Sequence, residues 1–360
     1  MKFLFLSSHA HYALDSESSR VSGGAELQVA LLAKELASLG HEVVIAGGDT
    51  GQPDKRILEG VMTRSAGKFH TGLAADSLLA LPKVIKLLAD YRPDYVAVLG
   101  WTAWLYLLAL LRRLFGYKLV FICGLDTEID GSFALTHGWR GILFERGVFK
   151  SDFRFAMSEY QRELFGRLNL SCCLYRNLVL PRAKQRSENK EIDLLWVGRC
   201  QRIKRPHLFL DLVKRLPLAR CEMICPREDR VLWDEVAARA ASLANLTFHE
   251  RVPYHEIQDH YDRATFLVST SEAEGFPNVM IQAAQGGAGI LSLDLDPDGL
   301  MSTFNAGFCA KGDFELLVEK VGSFLANPQE AMLMAQGAGE MLRKWLDNRK
   351  NTQAFLEGLK

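Results

Sequence analysis

A chain of 360 residues is longer than one hydrophobic core usually fills, so two domains are expected. Hydrophobic residues make up 48% and charged residues 24%, a balance that excludes a disordered or fibrous chain. Lys plus Arg and Asp plus Glu both count 43, so the net charge is zero and nothing marks the chain for nucleic acid. The seven cysteines are odd in number and scattered, which suits reduced thiols in the cytoplasm better than a disulfide framework. Cys221 and Cys225 form a lone C-x3-C with no second pair nearby, so no metal is expected there.

Phe3–Leu6 is continuously apolar, as in a strand covered on both faces. Ser7 to Ser22 reads as a long polar loop containing His9, His11 and Asp15. Gly23-Gly24 then open a helix in which Leu27, Leu31, Leu32, Leu36 and Leu39 recur on one face, with Glu26, Gln28, Lys34 and Glu35 facing out. Gly40 stands where a helix C-terminal cap belongs, and Val43–Ala46 is the next strand. This βαβ unit continues through strand Tyr95–Leu99, a buried helix over Trp101–Leu114 and strand Leu119–Cys123. The uncharged run Tyr95–Leu111 falls short of the ~20 apolar residues of a spanning helix. Its basic end at Arg112-Arg113 leaves a peripheral membrane contact open.

Pro181 to Glu191 is polar, charged and free of large apolar residues, and so reads as a linker. The alternation restarts beyond it: strand Leu194–Val197, a helix from Pro206, strand Cys221–Cys225, helix Asp229–Leu243 and strand Leu246–His249. A helix around Ile257–Tyr261, strand Phe266–Ser269, a helix from about Pro277, strand Ile290–Leu293 and a helical tail from Pro328 complete the pattern. The fold class is therefore α/β, two doubly wound Rossmann-like domains, with residues 1–180 in the first and 192–344 in the second.

Three loops fall where such a sheet places its ligands, past the carboxyl ends of strands and at helix N-termini. In Val21-Ser22-Gly23-Gly24-Ala25-Glu26, two glycines let backbone N–H groups approach an anion, a signal that is weak alone. In Gly198-Arg199-Cys200-Gln201-Arg202-Ile203-Lys204-Arg205-Pro206, a guanidinium and an ammonium five residues apart suit a diphosphate. In Glu272-Ala273-Glu274-Gly275-Phe276-Pro277-Asn278, an acid precedes a glycine and a proline-started helix. A carboxylate beside an anion site is repelled by phosphate, so Glu274 is expected to address neutral hydroxyls, as on a sugar. Gln282 follows two helical turns later on the same side.

These segments carry a resemblance. EGFPNVMIQA at 274–283 resembles the E-x7-E segment of the family 4 (group 1) glycosyltransferases. VGRCQRIKRPHLFL at 197–210 is similar to their donor-phosphate loop, GGAELQVALLAKELASLGHEV at 23–43 to their opening loop and helix, and residues 145–165 to their late N-terminal domain. The resemblance implies a GT-B fold, two domains facing across a cleft, and a metal-independent retaining enzyme with no cofactor. It implies that Arg199 and Lys204 bind the nucleotide diphosphate as the sugar leaves, and that Glu274 contacts the sugar. Gly23, Gly24, Gly275, Phe276, Pro277, Asn278 and Gln282 would complete the donor side. It further implies a last helix over about 345–360 packing back on the first domain.

The chain departs from the family pattern at specific positions. Gln282 stands in place of a Glu, which exchanges a hydrogen bond of ~1.5–3 kcal/mol for one of ~0.5–1.5 kcal/mol and predicts weaker donor binding. Cys123-Gly124-Leu125-Asp126 falls where many members carry His-Gly-x-Asp, leaving Asp126 and Cys123 as cleft candidates without a histidine's role. Cys225-Pro226 replaces a glycine-rich turn, and Gly289 stands where a proline is common. His9 and His11, in the first long loop, could face an acceptor, and His137, after Asp126 and Asp130, is unassigned. The expected function is transfer of a sugar from a nucleotide-diphosphate donor to a glycan, lipid-linked or other glycoconjugate acceptor, in surface polysaccharide or lipopolysaccharide synthesis. The expected location is the cytoplasm or the inner membrane face. The competing reading is a degenerate relative that binds nucleotide sugar, or a partner, without turnover.

Overall fold

A computed structural model describes residues 1–15, 23–49, 53–67, 74–180, 189–253, 256–345 and 347–360. It divides into two compact units, one of Met1–Leu178 with Asn348–Lys360 and one of Val179–Asp347. The linker expected at 181–191, and Val21-Ser22 of the first loop, lie largely outside the described residues.

The first unit runs β1 (Lys2–Leu6), α1 (Ala10–Leu14), α2 (Gly24–Ser38), β2 (Glu42–Gly47), β3 (Lys55–Leu58), β4 (Val61–Ser65), α3 (Ala74–Tyr91), β5 (Tyr95–Leu99), α4 (Leu105–Phe115), β6 (Lys118–Ile122), α5 (Phe133–Lys150), β7 (Phe153–Ala156), α6 (Glu159–Arg167) and β8 (Cys173–Leu174). Its strands lie in the order β3-β4-β2-β1-β5-β6-β7-β8. All pair in parallel except β3 with β4. Phe3, Phe5, Ile45, Val120 and Phe121 are fully buried, because helices cover both faces of the parallel strands. The order reverses direction between β1 and β5, and loops after those two strands frame the switch point.

The second unit runs β9 (Ile192–Val197), α7 (Pro206–Arg215), β10 (Cys221–Ile224), α8 (Arg230–Ala240), β11 (Leu246–His249), α9 (Ile257–Arg263), β12 (Ala264–Ser269), α10 (Asn278–Gly286), β13 (Gly289–Ser292), α11 (Leu300–Thr303), β14 (Gly307–Cys309), α12 (Phe314–Ala326) and α13 (Pro328–Trp345). Its parallel sheet has the order β11-β10-β9-β12-β13-β14, so its switch point lies between β9 and β12. Pro206 occupies the first position of α7, and Asp229 caps α8 by accepting from the N–H groups of Val231 and Leu232. A last helix, α14 (Asn348–Glu357), belongs to the first unit. There Asn351 Nδ2 donates to Asn177 O at 3.2 Å, and the Phe355 ring lies 4.7 Å from that of Phe155.

Several local expectations are corrected. The loop after β1 contains α1, because Ala10, His11 and Leu14 turn inward. Gln28 does not face out: it is buried, donating to Leu178 O at 2.9 Å and accepting from Leu178 N at 2.7 Å. Leu39 conversely caps α2 in solvent, and Gly40 follows it at φ +84°. The helix expected at Trp101–Leu114 begins only at Leu105, and Leu110 and Leu114 on it are exposed rather than buried. Among the described residues no helix is long and apolar enough to cross a membrane.

Candidate functional site

The loops that follow β9 and β12 meet because those strands are neighbours in the sheet. Within them Lys204 Nζ forms an ion pair with Glu274 Oε1, both side chains mostly buried. Further contacts hold the two loops that carry this pair. The buried Thr270 accepts from Trp196 Nε1 at 3.0 Å, and its hydroxyl lies 2.7 Å from the Lys204 carbonyl and 3.1 Å from that of Arg205. Glu272 N donates to Ile203 O at 2.9 Å, which stitches the two loops backbone to backbone. Arg205 adopts a left-handed conformation (φ 47°, ψ 53°) to cap α7, with its guanidinium on Thr270 O at 2.7 Å and paired with Asp294. The backbone that carries the ammonium is thus held by a frame of hydrogen bonds.

Arg199 lies on the same loop but points elsewhere, pairing with Glu228 Oε2 at 3.2 Å while half exposed. Gln201 Nε2 reaches the other oxygen of Glu228 at 2.6 Å. Glu228 follows β10, and sequence reasoning passed over it because a charged surface loop carries no signal of its own. Trp196 and Thr270 escaped for a similar reason, reading as ordinary strand residues. Past Glu274, Gly275 is half-buried and Phe276 and Pro277 are buried, and the helix expected from about Pro277 has that proline as its N-cap. Asn278 opens that helix and is partly exposed. Gln282 is buried on it, its backbone carbonyl accepting from Gln258 Nε2 at 3.1 Å.

In the first unit, Gly23 caps α2 and Gly24 begins it. The Glu26 carboxylate is folded over this end, so closely that a Cβ on Gly23 would lie 2.3 Å from Glu26 Oε2. Glu26, expected on the outer face, thus occupies the positive end of its own helix. At the end of β6, Cys123 is wholly buried, and its thiol donates to Leu125 O at 3.2 Å. Burial and the nearby Glu128 and Asp126 carboxylates push that thiol well above its usual range, so it is no nucleophile. Asp126 is partly exposed and accepts from Gln161 Nε2 at 3.0 Å.

Glu128 was not singled out in the sequence, yet it is the buried polar centre of this region. Its two oxygens accept from Trp101 N and Gly124 N, each at 2.8 Å, which ties the loop after β5 to the loop after β6. Burial pushes its carboxyl up to about 7, against the pull of the Gly124, Leu125 and Trp101 N–H groups. His11 is buried against the Tyr12 ring, which removes it as an acceptor-facing group. His137 stacks on Phe133 with ring centroids 4.0 Å apart, and His9 stacks on Tyr12 at 5.8 Å.

Among the described residues one cluster could hold a metal: ligand atoms of Glu222, His249 and His260 lie within 4.8 Å of one another. A guanidinium already stands there, however, with Arg263 Nη2 3.9 Å from Glu222 Oε2 and 3.3 Å from His260 Nδ1. Burial raises the Glu222 carboxyl, but the hydrogen bond from His260 and the charges of His260, His249 and Arg263 outweigh it and hold it below its ordinary value. A depressed carboxyl stabilises the fold above its unfolded pKa and loses that contribution as pH falls through the folded value. Glu222→Gln is therefore expected to flatten the acid limb of the stability–pH profile. A denaturant titration series below about pH 5 checks this, and an unchanged limb would leave Glu222 without that role.

Residues 23–171 match the family model of the glycosyl transferase 4-like domain, and residues 181–341 that of the glycosyl transferases group 1. No curated protein matches the chain by sequence. Sucrose-phosphate synthase from Thermosynechococcus elongatus is similar in structure at a TM-score of 0.78 and 16% identity, over 99% of this chain and 98% of that one. HepE from Anabaena, in complex with UDP and glucose, superposes at 0.73 and 16% identity over 100% and 99%. A glycosyltransferase from Rickettsia africae gives 0.71 and 16% over 100% and 98%. At these identities the likeness is one of fold.

Proposed function

This chain belongs to the group 1 glycosyltransferases of the GT-B fold, and from that premise we propose that it transfers a sugar from a nucleotide-diphosphate donor to a glycan or lipid-linked acceptor. The reaction retains anomeric configuration and serves the assembly of a surface polysaccharide, lipopolysaccharide or other glycoconjugate. The observation that carries this reading is the Lys204–Glu274 pair held by Thr270 at the switch point of the second sheet. Lys204 meets the diphosphate and Glu274 turns to the sugar hydroxyls, a division of labour that a lysine–glutamate pair is chemically suited to make. Arg199 adds a guanidinium once a phosphate competes with Glu228 for it. On this reading Lys204, joined by Arg199 once it leaves Glu228, stabilises the charge of the departing diphosphate, the part a metal ion plays in other transferases, and the reaction proceeds without one. The Anabaena neighbour holds UDP and glucose, which supports a donor of this class.

The test is a thermal-shift panel of UDP, GDP, ADP, CMP and their sugar conjugates on wild type and Arg199→Ala. At ~100 times its dissociation constant, a ligand specific for the folded state adds about 2.7 kcal/mol of stability. One nucleotide is expected to shift the wild type selectively and to shift the variant much less. A folded wild type that none of them shifts would instead support the degenerate reading, which the amide at Gln282 favours.

A further inference from the structure

Helices α4 and α5 follow the consecutive neighbours β5 and β6 and lead on to β7, so right-handed crossovers place both on one face of the first unit's sheet. They pack side by side. Gly147 makes the close approach possible, since a Cβ there would lie 2.8 Å from Leu105 Cγ and from Tyr106 N. At the other end Arg112 Nη1 donates to Lys150 O at 2.5 Å and pairs with Asp152 at 2.8 Å.

The faces turned away from the sheet are apolar where a water-facing helix should be polar. On α5 beyond its kink at Gly138, Trp139, Ile142 and Phe149 share one side with Arg146 and Lys150, and Trp139 is 66% exposed. Leu135 precedes them at 86% exposure, and Leu110 and Leu114 line the outer face of α4, the latter at 76%. The charges here are one-sided. Apart from Arg112, which Asp152 neutralises, the two helices carry Arg113, Arg140, Arg146 and Lys150 against a single acid, Glu145, in a chain whose net charge is zero. Glu145 is moreover engaged, accepting from Ala134 N at 2.9 Å, while the Arg140 guanidinium lies 5.5 Å over the Trp139 ring. An exposed apolar surface rimmed by cations is complementary to a lipid bilayer with anionic headgroups: the rings and leucines enter the acyl boundary and the cations pair with phosphates.

We propose that the outer face of α4 and α5 docks the protein on an anionic lipid bilayer without spanning it. This goes beyond the sugar-transfer reading and uses none of the donor residues, so either can fail alone. The test is co-sedimentation with vesicles of phosphatidylcholine alone and of phosphatidylcholine mixed with phosphatidylglycerol, at low and high salt. Binding is expected to the mixed vesicles, to weaken with salt, and to fall at least ~10-fold in Arg140→Glu/Arg146→Glu/Lys150→Glu and in Trp139→Ser/Ile142→Ser/Phe149→Ser. Nucleotide-induced thermal shifts are expected to be the same in both variants as in wild type, which separates docking from donor binding. Failure to bind the mixed vesicles, or equal binding by both variants, would overturn the proposal. So would a lipid-free dimer in sedimentation velocity that either variant abolishes, since the face would then join two copies.

Discussion

Lys204→Ala is expected to lower the turnover of glycosyl transfer by about 10²–10³, or about 2.7–4 kcal/mol of lost transition-state stabilisation. The size of the effect follows from the frame around the ammonium. Trp196 holds Thr270, Thr270 holds the Lys204 backbone, and Ile203 is bonded to Glu272, so the backbone that carries the ammonium is fixed and only the side chain exchanges Glu274 for the diphosphate. The same substitution strands Glu274, whose side chain is only 12% exposed. Breaking a fully buried pair costs about 3–5 kcal/mol, and for this partly exposed one about 2 kcal/mol of folding stability is expected to go. The double variant Lys204→Ala/Glu274→Ala separates the two consequences, because it removes the stranded charge and should recover most of the stability but none of the activity. Steady-state kinetics with the donor identified by thermal shift, alongside urea titrations, measure both. Turnover near wild type in Lys204→Ala would remove Lys204 from the donor site.

Glu128→Ala is expected to destabilise the first unit by roughly 1–3 kcal/mol, since two partly buried N–H groups lose their acceptor and each stands at the low end of the penalty for an unsatisfied donor. Both donors, Trp101 N and Gly124 N, lie in loops at the carboxyl ends of neighbouring strands. The wild type carries a pH signature of the same group. With the folded carboxyl at about 7 against an ordinary 4.5, the folded state holds a proton that the unfolded chain gives up first. This group's contribution therefore declines as pH rises from the ordinary glutamate range to about 7 and is level beyond. In Glu128→Gln that decline is absent, although its amide can accept from only one of the two N–H groups. Urea titrations of wild type and Glu128→Gln at about pH 5 and about pH 8 should show a stability difference that narrows at the higher pH. A difference independent of pH would mean that Glu128 is ionised throughout.

Much of the architecture was legible in the sequence because it rests on local signals. Tyr95–Leu99 is read off as an apolar run bounded by Asp94 and Gly100, and Pro206 marks the start of α7. The β3–β4 hairpin was not legible. Its turn, Glu59-Gly60, takes positive φ at both residues, and a glutamate in the place usual for Asn or Asp hides that geometry. Gln28 misled because its partner, Leu178, is 150 residues away, and no helical period reports a bond of that kind. The candidate site divides along the same line. Lys204 and Glu274 could be found because each sits just past a strand and ahead of a helix. Thr270, Trp196 and Glu228 could not, since what they do depends on which strands are neighbours. Glu128 belongs with them, a carboxylate whose importance lies entirely in two backbone groups brought to it by the fold.

The return of α14 to the first unit has a consequence for how the protein is made. Phe355 is fully buried against Phe155 and Tyr175, so the first unit's core is incomplete until residues beyond 347 have left the ribosome. The second unit is translated in the meantime, and at ~5–20 residues per second the first unit waits roughly ten to thirty seconds with an open apolar seam. During that interval the nascent chain presents a surface that a chaperone, or a neighbouring chain on the same message, can reach. Expression yield and aggregation are thus tied to the speed of translation across a segment that contributes nothing to that core.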